Sequence, residues 1–229
     1  TLTATYDNPS NNFATLNPLI VDGGGATTYS NGNTTATETA NQWTSSHSTL
    51  AAGASKWYFE SKFTLTSSTE GYIGAASVPA INERSTTDFY LGITNASVGY
   101  LATNGQIYNG SGGVAYGNSY TTGDIIGVAL DLTNGKVYYS INGTWQNSGD
   151  PSAGTNGFSL GAGMTNGDPI CLSVSPNQSY WQCNFGNGYY GTTAVTSANA
   201  DDAGYGAFEY DVPTGYYALC TKNIKAYGG

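Results

Sequence analysis

Gly123-Asp124-Ile125-Ile126-Gly127-Val128-Ala129-Leu130-Asp131-Leu132-Thr133-Asn134-Gly135-Lys136-Val137-Tyr138-Tyr139-Ser140-Ile141-Asn142-Gly143-Thr144-Trp145 reads as strand, turn, strand and a second turn. Asn134-Gly135 is the pair most favoured in two-residue β-hairpin loops, because both central residues need φ > 0 and Asn and Gly reach that region at least cost. The flanking runs are rich in β-branched and aromatic residues, which fit a pleated surface. Asn142-Gly143 repeats the turn signal eight residues on.

Outward from this hairpin, turn signals recur along the whole chain with short β-prone runs between them, and helix signals are nearly absent. That spacing predicts an all-β sandwich or barrel. The run 56–65 alternates in part and reads as a strand with Trp57, Phe59 and Phe63 on one face; 70–76 reads as its partner strand. Residues 89–93, 97–101, 106–110, 159–164, 169–174 and 180–186 read as further strands. Pro213-Thr214-Gly215 reads as a turn between apolar runs, and the Ser/Thr/Asn/Gly-rich stretch 23–46 as a solvated loop. No repeat of fixed period and no long linker is visible, so residues 1–229 read as one domain of sandwich size.

The chain has 32 Gly, 19 Tyr and 9% charged residues among 229, the composition of a turn-rich protein with a polar, uncharged surface. Fifteen acidic against six basic residues give a net charge of −9, which repels phosphate backbones and anionic lipids. Nucleic acid is therefore not an expected partner. No run approaches the ~18 apolar residues that span a bilayer, so membrane insertion is not expected either. No signal-peptide pattern is visible, and Thr1 is compatible with removal of Met or of a longer leader. Three cysteines cannot all pair within one chain. Cys171 and Cys183 lie symmetrically about Asn177, so a hairpin turning at Pro176-Asn177-Gln178-Ser179 would set them opposite each other, either as a disulfide or as two half-buried thiols. Cys220 is left free in both cases, and no spacing suggests zinc.

Four blocks in order carry a resemblance: Lys56-Trp57-Tyr58-Phe59-Glu60; Gly71-Tyr72-Ile73-Gly74-Ala75-Ala76; the hairpin quoted above; and Asn184-Phe185-Gly186. Together they resemble the SPRY domain over about residues 56–186. The resemblance implies a two-sheet antiparallel sandwich of the concanavalin-like, jelly-roll kind, with the N- and C-terminal strands completing the sheets. Residues 7–19 and 210–223 look like the start and end of SPRY-containing structural proteins of tailed bacteriophages. In such a sandwich Trp57, Phe59, Tyr138 and Phe185 are expected to fill the ~10 Å between sheets.

Retaining glycoside hydrolysis needs two carboxylates ~5 to 5.5 Å apart, and Glu209/Asp211 is the one pair with the right spacing; a solvated edge strand ending at Pro213 accounts for it. His47, the only histidine, sits in a polar stretch and reads as a surface residue, with no nucleophile elbow in the chain. Asp150, Asp168, Asp201 and Asp202 do not form a calcium-loop pattern, and the Gly-rich stretch 110–117 lacks the lysine of a phosphate loop. No catalytic residue, metal ligand or cofactor is expected.

What remains is surface recognition. Tyr with Ser, Gly and Asn is the composition of binding loops, because Tyr offers large contact area at small entropic cost. The stretches 108–120 and 187–191 have it, which singles out Tyr108, Tyr116, Tyr120, Tyr189 and Tyr190 as candidate ligand-binding residues. The expectation is a non-enzymatic virion structural protein, a capsid decoration, head fibre or tail component. It would be assembled in the host cytoplasm and displayed on the particle surface, touching other virion proteins and the host surface, as a homo-oligomer if its contacts require one. The alternative is a carbohydrate-binding adhesin that holds a host-surface glycan in these loops.

Overall fold

The computed structural model describes residues 6–20, 22–82, 89–110 and 112–228. Among them sixteen strands follow in order: β1 (Asp22–Gly23), β2 (Thr28–Ser30), β3 (Thr35–Glu38), β4 (Thr44–Ala52), β5 (Lys56–Ser77), β6 (Ser97–Leu101), β7 (Gln106–Tyr108), β8 (Gly113–Ala115), β9 (Ile125–Asp131), β10 (Lys136–Ile141), β11 (Thr144–Trp145), β12 (Phe158–Ser159), β13 (Ile170–Asn184), β14 (Tyr189–Tyr190), β15 (Thr193–Ala194) and β16 (Tyr217–Ala218). Two short helices, α1 (Val78–Asn82) and α2 (Thr221–Tyr227), accompany them. The fold is mostly β and antiparallel, as the turn spacing predicted; β16 on β5 is a parallel pairing.

Two long strands organise everything else. β5 and β13 pair from Ile170↔Ser77 to Asn184↔Glu60, with a register shift between Asn177 and Ser179. At that level Gln178 takes a φ of 45°, and four residues of β5, 66–69, stand between the paired Leu65 and Glu70. Such irregularities bend a strand and let it pass from one sheet to the next. On one side of the bend β13 and β5 are flanked by β3 and β9; on the other they are flanked by β4 and β6. The result is two sheets that share two strands: β2-β3-β13-β5-β9-β10, and β1-β4-β13-β5-β6-β7-β8.

This corrects two sequence readings. Residues 56–65 and 70–76 are one strand of 22 residues, not a hairpin. Pro176-Asn177-Gln178-Ser179 is a bulge within a 15-residue strand, so Cys171 and Cys183 lie along one strand instead of facing each other. All three cysteines are free and buried. Residues 23–46, read as a solvated loop, hold β1, β2, β3 and the start of β4, and 89–93 form no strand.

The two Asn-Gly turns also differ. Asn142 and Gly143 both have positive φ, 48° and 79°, and close a two-residue loop between the paired Ile141 and Thr144. Between the paired Asp131 and Lys136 four residues intervene, and of Asn134 and Gly135 only the glycine has positive φ, 62°. The buried Asp131 explains the longer loop: its carboxylate accepts from Asn134 N at 2.9 Å and Asn134 Nδ2 at 2.8 Å, and pairs with Lys56 Nζ at 3.1 Å. An Asx-type bond of this kind builds the turn from a side chain.

Register assigns the core. Phe59↔Val128↔Tyr139 are directly opposed and so share a face. Tyr139 stacks on Tyr100 of the second sheet at 4.9 Å, which makes this the face between the sheets. Phe59 stacks on Phe185 at 5.4 Å and Phe63 packs on Trp181 at 4.6 Å, with all four rings fully buried. Trp57, Phe59 and Phe185 are thus core residues, as read. Tyr138 is buried too, but it points to the outer face with Tyr58 and Ala129, beneath Gly149 and Gly157, where a Cβ at Gly149 would come within 3.3 Å of its ring.

That outer face is roofed by the chain after β13. Phe208 lies edge-on to Tyr58 at 5.1 Å, and Asp201 pins the roof: Oδ1 accepts from Ala203 N and Tyr205 N, and Oδ2 from Ala218 N and Asn223 Nδ2. The Pro213 turn forms as read, with Tyr216 N bonded to Pro213 O.

Candidate functional site

The five tyrosines singled out by composition separate into interior and surface. Tyr120 is 5% exposed; its hydroxyl lies 2.9 Å from Gly71 O and 2.8 Å from Tyr100 O, and its ring packs on Phe63 and Trp181. Tyr116 is packed among Tyr100, Tyr139 and Phe158. Tyr190 is buried and donates to Glu60 Oε2 at 2.5 Å. For these three the reading as exposed loop contacts is corrected: Tyr116 and Tyr120 turn into the core from loops, and Tyr190 does so from β14. Tyr108 and Tyr189 are half-buried and face different neighbours. Tyr108 belongs to a ring cluster with Trp43, Tyr72 and Tyr90, in which Tyr72 and Tyr90 stack at 5.1 Å. Tyr189 lines a small recess with Asp7, Asn31, Thr34 and Asn187.

A larger concavity forms where β5 ends. A cleft of about 500 Å³ is bounded by Ser77, Pro79 and Ala80 from the end of β5 and α1, by Phe89 and Ile93 to Ala96, and by Gly163, Asn166 and Asp168. Its walls are fixed by backbone bonds: Ser77 N to Ala96 O and Val78 N to Pro169 O, both 2.9 Å. Gly92, with a φ of 88°, turns the chain, and its N–H is taken by Ser97 Oγ at 2.9 Å. Gly163 lets the third wall close, since a Cβ there would sit 2.8 Å from that of Ala96. Ile93 is 37% exposed on the rim, Phe89 is buried, and a polar edge is held by Asn166 Nδ2 donating to Asp168 Oδ2 at 2.7 Å. An open concavity with an apolar wall and a few fixed polar groups is the usual form of a recognition site. Its residues carried no motif; the Val78-Pro79 break at the end of a long β run was the only local signal.

Glu60 and Glu209 are held in structural hydrogen-bond networks. Glu60, fully buried, accepts four hydrogen bonds: from Tyr58 Oη at 2.8 Å, Tyr190 Oη at 2.5 Å, Glu209 N at 2.9 Å and Tyr210 N at 2.9 Å. Burial raises its pKa and the donors pull it part of the way back. Glu209 turns to Thr196, bonding its N–H and its hydroxyl, so the 209/211 pair is not an edge strand. His47 is buried on β4 with Nδ1 2.8 Å from Ser173 Oγ, not on the surface, because alternation along β4 points it into the packed outer side of the second sheet. Burial pushes the thiols of Cys171 and Cys183 up to about 11 and about 12, far from the range of reactive cysteines. No group of three or more metal-ligating side chains occurs among the described residues.

Comparison with known proteins gives this architecture a family context. Residues 56–151 match the family model of the SPRY domain. The crystal structure of the SPRY domain of human HERC1 is similar with a TM-score of 0.53 and 15% identity, over 73% of this chain and 96% of that one. A second human SPRY domain gives 0.49 and 16%, over 69% and 93%. Residues 56–151 are thus similar to the SPRY domain, and the curled antiparallel fold is consistent with a β-sandwich.

Proposed function

We propose that this SPRY-domain chain is a non-enzymatic interaction module that holds an exposed segment of a protein partner in the cleft between α1, residues 93–96 and residues 163–168. SPRY domains are generally protein-interaction modules, which favours a protein over a small molecule. The observation that carries the reading is the cleft itself: about 500 Å³, backbone-pinned on three sides, with Ile93 on its rim and Asp168 at its edge. A short apolar residue followed by a polar or basic one suits that surface.

The partner is proposed to be another virion protein, on the likeness of residues 7–19 and 210–223 to tailed-phage structural proteins. Placing a photo-crosslinking amino acid at position 93 in assembled particles tests both parts. A specific adduct with a second virion protein, absent when the crosslinker sits at the exposed Leu19, supports the reading; adducts that are equal at both positions overturn it. Absence of the chain from purified particles by mass spectrometry overturns the virion assignment alone.

A further inference from the structure

A second cleft, of about 300 Å³, lies on the outer face of the first sheet and is lined by Tyr58, Ser140, Gly143, Trp145, Tyr210 and Asp211. Three separate segments build it. The Asn142-Gly143 turn folds β11 back so that Trp145 pairs with Ser140. Gly143 lets Tyr210 lie on the turn, since a Cβ there would come 2.6 Å from its ring. Glu60 holds Tyr210 from below by its backbone N–H, and holds Tyr58 by its hydroxyl. Trp145 and Tyr58 meet edge-on at 6.4 Å.

Two independent features give the cleft a chemical preference. The first is charge. Asp211 is exposed in the lining, Glu60 lies behind the rings, and the fields of Glu209, Glu60 and Asp124 all reach Tyr210, whose phenol they raise after burial. No lysine, arginine or histidine is among the lining residues described. The second is Ser140, which is 1% exposed, lines the cleft and has an Oγ with no hydrogen-bond partner among the described residues. A buried hydroxyl left without a partner costs free energy that a bound donor restores.

We infer that this cleft binds an organic cation bearing N–H donors, a guanidinium or primary ammonium group, against the rings of Trp145, Tyr210 and Tyr58, with Asp211 and Ser140 Oγ as acceptors. Aromatic rings attract cations through their quadrupole, and indole does so best. The surrounding carboxylates repel an anion, and a neutral sugar gains nothing from their field. The assignment is independent of the cleft at Ile93.

The test is a titration of the full chain with N-acetyl-arginine amide and with ethylammonium chloride, followed by the indole N–H signal of Trp145, identified by its loss in Trp145→Phe. Saturable shifts confined to this cleft are expected at millimolar concentration. They should weaken several-fold in Asp211→Asn, in Ser140→Ala and as salt shortens the screening length toward about 8 Å. Asp211 is exposed, so Asp211→Asn keeps the fold, as an otherwise unchanged spectrum verifies. Overturning results are no shift at Trp145, shifts unaltered by Asp211→Asn, or equal shifts with methyl glucoside.

Discussion

Tyr190 of the β14–β15 hairpin donates its hydroxyl hydrogen to Glu60 of β5 at 2.5 Å, across 130 residues of chain. The same carboxylate accepts from Glu209 N and Tyr210 N, so one buried side chain clamps two stretches of the roof to the sheet. Removing it leaves two hydroxyls and two N–H groups without their acceptor. Glu60→Ala is expected to cost about 3–5 kcal/mol, because several buried donors lose their acceptor at once and each costs about 1–3 kcal/mol when left unmatched. Tyr190→Phe deletes one bond and should cost about 1–3 kcal/mol. Denaturant midpoints at constant slope check both; a Glu60→Ala loss no larger than that of Tyr190→Phe contradicts the clamp.

Glu60 also makes a pH prediction. Its folded pKa is raised by burial above the ordinary value of about 4.5. Between the two values the native state binds more protons than the unfolded one, so this group's contribution is fully present below about pH 4.5 and is lost as pH rises through the raised folded value. Glu60→Gln does not titrate. The difference in unfolding free energy between wild type and Glu60→Gln should therefore shift in favour of the variant as pH climbs through that window. A constant difference across it counts against the raised pKa.

The thiols provide a kinetic check. Cys171 and Cys183 stand twelve residues apart on one strand, roughly 40 Å at 3.3 Å per residue along it, far beyond the ~7 Å limit between bridged Cα atoms. With burial raising all three thiols, native protein should react with a thiol reagent only at the rate of unfolding, and denatured protein should release three equivalents. Fast native labelling of any one of them contradicts its placement.

The two Asn-Gly turns show what was legible in the sequence and what was not. Strand content, the SPRY-like run from residue 56 through the hairpin, the Pro213 turn and the burial of Trp57, Phe59 and Phe185 follow from local pattern. The continuity of β5 and β13 was not legible. Ser67-Ser68-Thr69-Glu70-Gly71 and Pro176-Asn177-Gln178 have turn chemistry, and only pairing between strands a hundred residues apart makes them bends within strands. Burial of Tyr116, Tyr120 and Tyr190 depends on the same distant contacts, as does the clustering of Phe89 and Ile93 with Gly163 in the main cleft. Gly143→Ala meets both a positive φ of 79° and the Tyr210 ring, whereas Gly135→Ala meets a φ of 62° and Thr165 Cγ2 at 3.1 Å. Gly143→Ala should be the costlier by about 1–2 kcal/mol, since overpacking adds to the backbone term; thermal unfolding of the pair tests the order.

Two tyrosines of the core should respond oppositely to loss of a hydroxyl. Tyr120 Oη is within 2.9 Å of Gly71 O and 2.8 Å of Tyr100 O, and its removal strands acceptors in the interior. Tyr120→Phe is expected to cost about 1–2 kcal/mol. Tyr139 Oη is buried with no partner among the described residues, and desolvation drives its phenol well above the ordinary value. Tyr139→Phe removes that unmatched polar atom while the ring keeps its stack on Tyr100. Its stability should stay within about 0.5 kcal/mol of wild type or rise, because deleting a buried group that bonds nothing forfeits only desolvation cost. Calorimetric unfolding of both variants decides the matter: a Tyr139→Phe loss equal to that of Tyr120→Phe means that Tyr139 Oη has a bonded partner in solution.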